Sequence, residues 1–320
     1  MEQIQALRTN VGTSIMATLE PTFKIYTPLL VKNKDTILST ARTEHTYGPH
    51  PRQKLDVYLP SSPANSPILI FLYGGGLIFG DKINPMTPHG LVYHNLATFF
   101  TQRGLTVVIP DYRRVNSNFG GEDAVFPSGG EDTSLTLKWV ASNLVKEGEK
   151  REVVLMGNSA GGVHLSTFLF HENFLEQRKA LVEGKGGLVL KGAVELAVPM
   201  HFNDSPPERG EMLKTYWGSV EAAAKLCPYG LFESLKAKGV SKEEAGVPKV
   251  LMLVGEYDPE DEIAKPTRDF VELWKGSWGE DSIEVEGMKG HNHLSPPWAL
   301  MAGESEGEKW AEGVAKWIKN

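Results

Sequence analysis

Residues Val153-Val154-Leu155-Met156 run straight into Gly157-Asn158-Ser159-Ala160-Gly161, and no other stretch constrains the fold so tightly. A short apolar run rich in β-branched residues and closed by glycine reads as a buried strand, and Ala160 to about Phe170 reads as a helix. A strand that enters a helix through G-x-S-x-G makes a sharp turn, a nucleophile elbow that lifts the serine hydroxyl clear of a parallel sheet. The serine then sits at strained dihedrals, and side chains two residues to either side would collide, which is why glycine stands there. The following helix aims its positive N-terminus at charge that develops beside Ser159.

A second buried strand, Pro67 to Tyr73, runs into Gly74-Gly75-Gly76. Acyl transfer puts negative charge on a carbonyl oxygen, and a glycine run offers backbone N–H groups with no side chain in the way. Further strands are expected near 53–59, 105–110, 152–157, 188–197, 249–255 and 282–287. Helices are expected near 87–103, 131–146, 160–171, 261–275 and 304–319, the last with Trp310, Val314 and Trp317 on one stripe facing the sheet. This alternation predicts an α/β fold: a mostly parallel central sheet with helices on both faces. Two segments stand outside it. One is an N-terminal arm over residues 1–50. The other is an insertion over 199–246, between the fifth and sixth expected strands. Both are expected to form a cap or lid over a catalytic domain spanning 51–320, with the aromatics of the insertion either setting specificity or fastening the insertion to the core.

With these residues in view, the chain resembles the α/β-hydrolase superfamily, and within it the hormone-sensitive-lipase-like carboxylesterases and their arylformamidase relatives. The resemblance covers roughly residues 50 to 320. Tyr73-Gly74-Gly75-Gly76 is similar to the family's H-G-G-G loop, Asp111-Tyr112-Arg113 to its D-Y-R, Gly157 to Gly162 to its elbow, and Gly255-Glu256-Tyr257-Asp258-Pro259 to the loop carrying the acid. It implies the α/β-hydrolase fold and oxyanion donors at Gly75, Gly76 and Ala160. The chain departs from the pattern at three points. Tyr73 replaces histidine, so the oxyanion loop must be braced differently. Asn158 stands where an acid is common. The segment from Arg113 to Pro127 is longer and carries Gly120-Gly121-Glu122-Asp123.

A serine nucleophile needs a base, and the base an orienting acid, in the chain order Ser, Asp or Glu, His. Among Glu256, Asp258, Glu260, Asp261 and Glu262, the resemblance selects Asp258 through its D-P step. Pro259 pre-sets the turn, and Asp261 or Glu262 is expected to cap the next helix. Only His291 and His293 follow. The resemblance selects His293, with His291 open as the alternative. An H-x-H pair could share a metal, but no third ligand is evident, and neither metal nor cofactor is expected. His164 reads as a packed structural histidine. Tyr73, Phe202 and Trp217 are expected to line the substrate site.

The 320 residues are 41% hydrophobic and 23% charged, within globular values, and their net charge of −7 argues against a nucleic-acid partner. No stretch approaches the apolar length needed to span a bilayer. A single cysteine, Cys227, leaves no intrachain disulfide and fits a reducing, cytoplasmic setting. The expected function is a serine hydrolase cleaving carboxylic esters of small to medium acyl chain through an acyl-enzyme. A neutral histidine base implies activity falling as pH drops through about 6.5. Arylformamidase, acyltransferase or lactone-forming cyclase, and a non-catalytic ligand-binding protein on the same scaffold are the alternatives. The partner is a small-molecule ester or amide, and exposed edge strands permit a homodimer.

Overall fold

The computed structural model describes residues 1–115 and 123–320, which leaves Gly120, Gly121 and Glu122 outside the described residues. Eight strands form one sheet: β1 Arg42–Thr46, β2 Lys54–Tyr58, β3 Ile68–Leu72, β4 Thr106–Pro110, β5 Arg151–Asn158, β6 Leu188–Leu196, β7 Lys249–Tyr257 and β8 Glu284–Asn292. Their order is β1-β2-β4-β3-β5-β6-β7-β8. Strand β2 is antiparallel to β1 and to β4, and every pairing from β4 through β8 is parallel. All five residues of β3 and of β4 are buried, as continuous apolar runs in a doubly covered parallel sheet require.

The seven expected strands are all present. The additional one, β1, is built from Arg42-Thr43-Glu44-His45-Thr46, all five exposed at the sheet edge. It carries no apolar alternation to betray it, and it moves the end of the expected arm into the sheet. The rest of the arm is helical: α1 Glu2–Val11, α2 Ile15–Lys32 and α3 Lys34–Ile37.

The remaining helices are α4 Leu91–Thr101, α5 Ser128–Leu144, α6 Ala160–Phe170, α7 Leu175–Val182, α8 Gly210–Trp217, α9 Val220–Leu226, α10 Pro228–Ala237, α11 Lys265–Trp278, α12 Ser295–Ala299 and α13 Ser305–Lys319. Helix α6 lies against β3, β5 and β6, and beside it pack α5, α7 and α10. On the other side α12 joins α4, α13 and α2. In α13 the buried stripe is Trp310, Ala311, Val314, Ala315 and Ile318. Trp317, expected on that stripe, sits at its margin and donates its indole N–H to Glu284 Oε1 at 2.8 Å. The insertion holds α8, α9 and α10, with Phe232 of α10 stacked on Trp274 of α11 at 4.9 Å.

Candidate active site

Parallel strands β3, β5 and β7, with β6 between the last two, end at one edge of the sheet, and the loops beyond them meet the loop after β8. At the tip of β5, Ser159 adopts φ 51° and ψ −119°, a conformation tolerated only where surroundings over-determine it. They do so here by close approach. A Cβ on Gly157 would lie 2.5 Å from Gly162 Cα, and one on Gly161 would lie 2.1 Å from Leu72 O. Ser159 N donates to Leu196 O at 3.0 Å, and Asn158 Nδ2 donates to the same carbonyl at 3.1 Å. Asn158 therefore fastens the elbow to β6 without a charge.

His293 Nε2 stands 2.9 Å from Ser159 Oγ, and its Nδ1 stands 3.1 Å from Asp258 Oδ1. With the proton on Nδ1, the ring donates to the carboxylate and accepts from the serine hydroxyl, the arrangement a general base needs. Asp258 Oδ2 accepts from Gly255 N at 2.6 Å, so both carboxylate oxygens are held. Asp258 and His293 are buried, and Ser159 is half-buried.

His291 is not brought to the serine. Its Nδ1 pairs with Ser295 Oγ at 2.9 Å, and burial pushes its pKa down to about 4. The residue between the two histidines braces their loop. Asn292 Oδ1 accepts from Leu294 N at 3.1 Å and Ser295 N at 2.9 Å. Asn292 Nδ2 donates to Thr22 Oγ1 of α2 at 2.9 Å. One residue on, Phe23 stacks on Trp298 at 4.2 Å. No sequence signal links Thr22 to the histidine loop, because 270 residues separate it from Asn292.

The glycine loop lies against the nucleophile: a Cβ on Gly74 would stand 3.2 Å from Ser159 Cβ. The N–H groups of Gly75, Gly76 and Ala160 have no acceptor among the described residues, so all three are available as donors. Tyr73, expected to line the substrate site, is fully buried. Its hydroxyl donates to Asp111 Oδ1 at 2.6 Å and accepts from Arg52 Nη2 at 2.8 Å. Its ring stacks on Tyr112 at 4.6 Å, and Tyr112 donates its hydroxyl proton to Tyr73 O at 2.8 Å. Burial pushes the Asp111 carboxyl above the usual carboxylate range, against the pull of Arg52. Tyr73, Asp111 and Arg52 thus brace the glycine loop without a histidine.

Phe202 and Trp217 pack on each other in the insertion, ring centroids 5.3 Å apart. Trp217 is buried, and its indole N–H lacks an acceptor among the described residues. His164 is fully buried against Tyr112 at 4.5 Å, with burial lowering its pKa to about 3, so it stays neutral and structural. Cys227 is buried, and burial raises its thiol to about 11. Glu260, Asp261 and Glu262 lie in the first turn of the helical segment Glu260–Ala264 that leads into α11, as expected of an acidic helix start, but no side chain makes a cap bond there and Glu262 pairs with Arg209. Beneath the elbow, Glu195 accepts from Ser166 Oγ at 2.8 Å, and burial raises its carboxyl to about 8. The described residues contain no cluster of side chains that could hold a metal ion, and no described helix is long and apolar enough to cross a membrane.

The BD-FAE family model matches residues 55–204. A probable isoprenylcysteine α-carbonyl methylesterase of Arabidopsis thaliana is 27% identical over 238 residues, 69% of this chain and 50% of that protein. Probable carboxylesterase 7 of the same plant is 24% identical over 78% of each chain. The chain spans about half the length of the methylesterases it matches. Among solved structures, the esterase of Pyrobaculum calidifontis superposes with a TM-score of 0.64 at 20% identity, covering 99% of this chain and 96% of that one. Esterase B of Lactobacillus rhamnosis gives 0.62 at 16% identity, over 95% and 96%.

Proposed function

We propose that this chain, an α/β-hydrolase of carboxylesterase-like type, hydrolyses carboxylic esters of small to medium acyl chain through a serine acyl-enzyme. The observation that carries the reading is the unbroken line from Ser159 Oγ through His293 to Asp258, at 2.9 and 3.1 Å. The three unpaired N–H groups beside it support an oxyanion hole.

In the proposed cycle, Ser159 Oγ attacks the ester carbonyl carbon while His293 Nε2 takes the hydroxyl proton. Negative charge gathers on the carbonyl oxygen, where Gly75, Gly76 and Ala160 donate and the N-terminus of α6 adds its positive end. Asp258 stabilises the imidazolium. The tetrahedral adduct collapses, the C–O bond to the alcohol breaks, and the alkoxide takes the proton from His293. Water then attacks the acyl-enzyme, with His293 as base again, and releases the acid. Phe202 and Trp217 are assigned to the apolar wall of the site, within a cap formed by the insertion and the arm. Buried Cys227 is in keeping with a reducing compartment, and we place the protein in the cytoplasm on that ground.

The relatives with named activities are esterases, which favours ester hydrolysis over formamidase, transferase or cyclase chemistry. The complete serine–histidine–aspartate line weighs against a non-catalytic binding protein. Turnover of p-nitrophenyl acetate, butyrate and octanoate by the wild type and Ser159→Ala tests the reading. The wild type should favour the shorter chains, and the variant should lose several orders of magnitude. Equal residual activity in both proteins would overturn it.

A further inference from the structure

A guanidinium from the insertion stands at the rim of the glycine loop. Arg209, immediately before α8, places Nη1 3.3 Å from where a Gly76 Cβ would be, and among the described residues beyond Gly75 and Leu77 no other atom lies within 4 Å of that position. Gly74 of the same loop makes the close approach to Ser159. The cation and the nucleophile therefore face one three-residue loop. The opposite edge of the guanidinium is already occupied. Its Nε and Nη2 donate at 3.0 and 2.8 Å to Glu262 Oε2, in the turn that follows Asp258. That carboxylate is nearly buried, at 14% exposure, whereas Arg209 keeps 28%. Nη1 has no acceptor among the described residues.

A guanidinium has five N–H donors in a rigid plane and can bridge two carboxylates on separate edges. Glu262 fixes that plane, so the outward edge is preorganised and a ligand need not order it. We propose that Arg209 Nη1 anchors a free carboxylate on the substrate, and that the natural substrate is an acidic ester, such as a half-ester of a dicarboxylic acid. The inference rests on the esterase reading above and adds the substrate class to it. A neutral ester leaves Nη1 to water. An ester bearing a carboxylate a few bonds from its scissile carbonyl spans from the unpaired N–H groups of Gly75 and Gly76 to that edge.

The test compares kcat/KM for ethyl hydrogen glutarate and ethyl butyrate, read by proton release. The wild type should favour the half-ester. Arg209→Gln should lower the half-ester to butyrate ratio by about tenfold or more, mainly through KM, because a charge-assisted hydrogen bond is lost. Arg209→Lys should recover only part of the ratio, since it keeps the charge and loses the fork. Glu262→Gln, whose amide oxygen still accepts from Nε and Nη2 and holds the plane while the competing charge is gone, should raise it. A ratio unmoved by Arg209→Gln, or a wild type that favours the neutral ester, overturns the proposal. If butyrate is turned over by the wild type and not by Ser159→Ala while the ratio stays fixed, only the carboxylate subsite fails. If the wild type is inert on both esters, the esterase reading fails, and the subsite is judged by calorimetry of glutarate binding to Ser159→Ala. That binding should weaken at least tenfold on adding Arg209→Gln, and unchanged binding overturns the subsite by itself.

Discussion

Two parts of the chain outside the central α/β alternation reach the site, and they hold it by different physics. The N-terminal arm grips the histidine loop through buried, uncharged contacts: Thr22 to Asn292, and Phe23 stacked on Trp298. The insertion packs on α11 through the buried Phe232–Trp274 stack, and it reaches the acid turn and the start of α11 through ion pairs in reach of water: Arg209 to Glu262 and Lys265 to Asp204. Buried neutral hydrogen bonds are costly to leave unmade and indifferent to salt. Half-exposed ion pairs contribute little and are screened. The histidine loop is thus held by neutral contacts that salt does not reach, and the acid turn by a pair that salt can loosen.

The comparison is broken most directly at Asn292. Asn292→Ala should lower kcat by about a hundredfold with a smaller change in KM, since a base displaced by about 1 Å costs on that order. Asn292→Asp keeps the acceptor and should recover part of kcat. A variant that is folded by circular dichroism and fully active would show that the histidine loop needs no bracing.

Acid should loosen the two junctions in different pH windows. Burial holds His291 at about 4 in the folded chain, against about 6.5 unfolded. Between those values the unfolded chain binds the extra proton, so stability falls as pH drops from about 6.5 towards 4, by up to about 3 kcal/mol. Asp269 is shifted the other way, held below its ordinary range first by the hydrogen bond from His201 and then by Lys265. Its contribution is present above the ordinary carboxylate value and is lost only as pH falls below it. Thermal melts from pH 7 to 4 should therefore decline in the wild type and decline less in His291→Asn. Equal slopes would remove His291 from the account.

A smaller effect is expected at Thr22. Thr22→Val keeps the shape and removes the hydroxyl, at a cost of about 1–3 kcal/mol for the unpaired Asn292 amide. Activity should fall severalfold through kcat, and Thr22→Ser should restore it. The smallest effect is that of salt. Raising it from about 0.05 M to about 1 M should speed hydrogen exchange in α8 and in residues 260–264 while leaving α2 unchanged. Faster exchange in both regions would erase the distinction.

The elbow, the glycine loop and seven strands were legible because each is a local device: an apolar run, then glycines where a Cβ would collide. Strand β1 was not legible, since its five exposed polar residues are defined only by pairing with β2. The burial of Tyr73 was not legible, because its position beside the glycines does not show which way the ring points. Only Asp111 and Arg52, brought in from other strands and loops, turn it into the core.

By itself, then, the sequence determined the layered α/β architecture and the residue types at the turn tips, because these depend on periodicity and on steric exclusion between near neighbours. Tertiary structure alone shows that His293 reaches Asp258 and Ser159 while His291, on the same loop, pairs with Ser295. It also decided the partners of Thr22, Tyr73 and Arg209, since hydrogen bonds and ion pairs between residues remote in sequence leave no periodic trace.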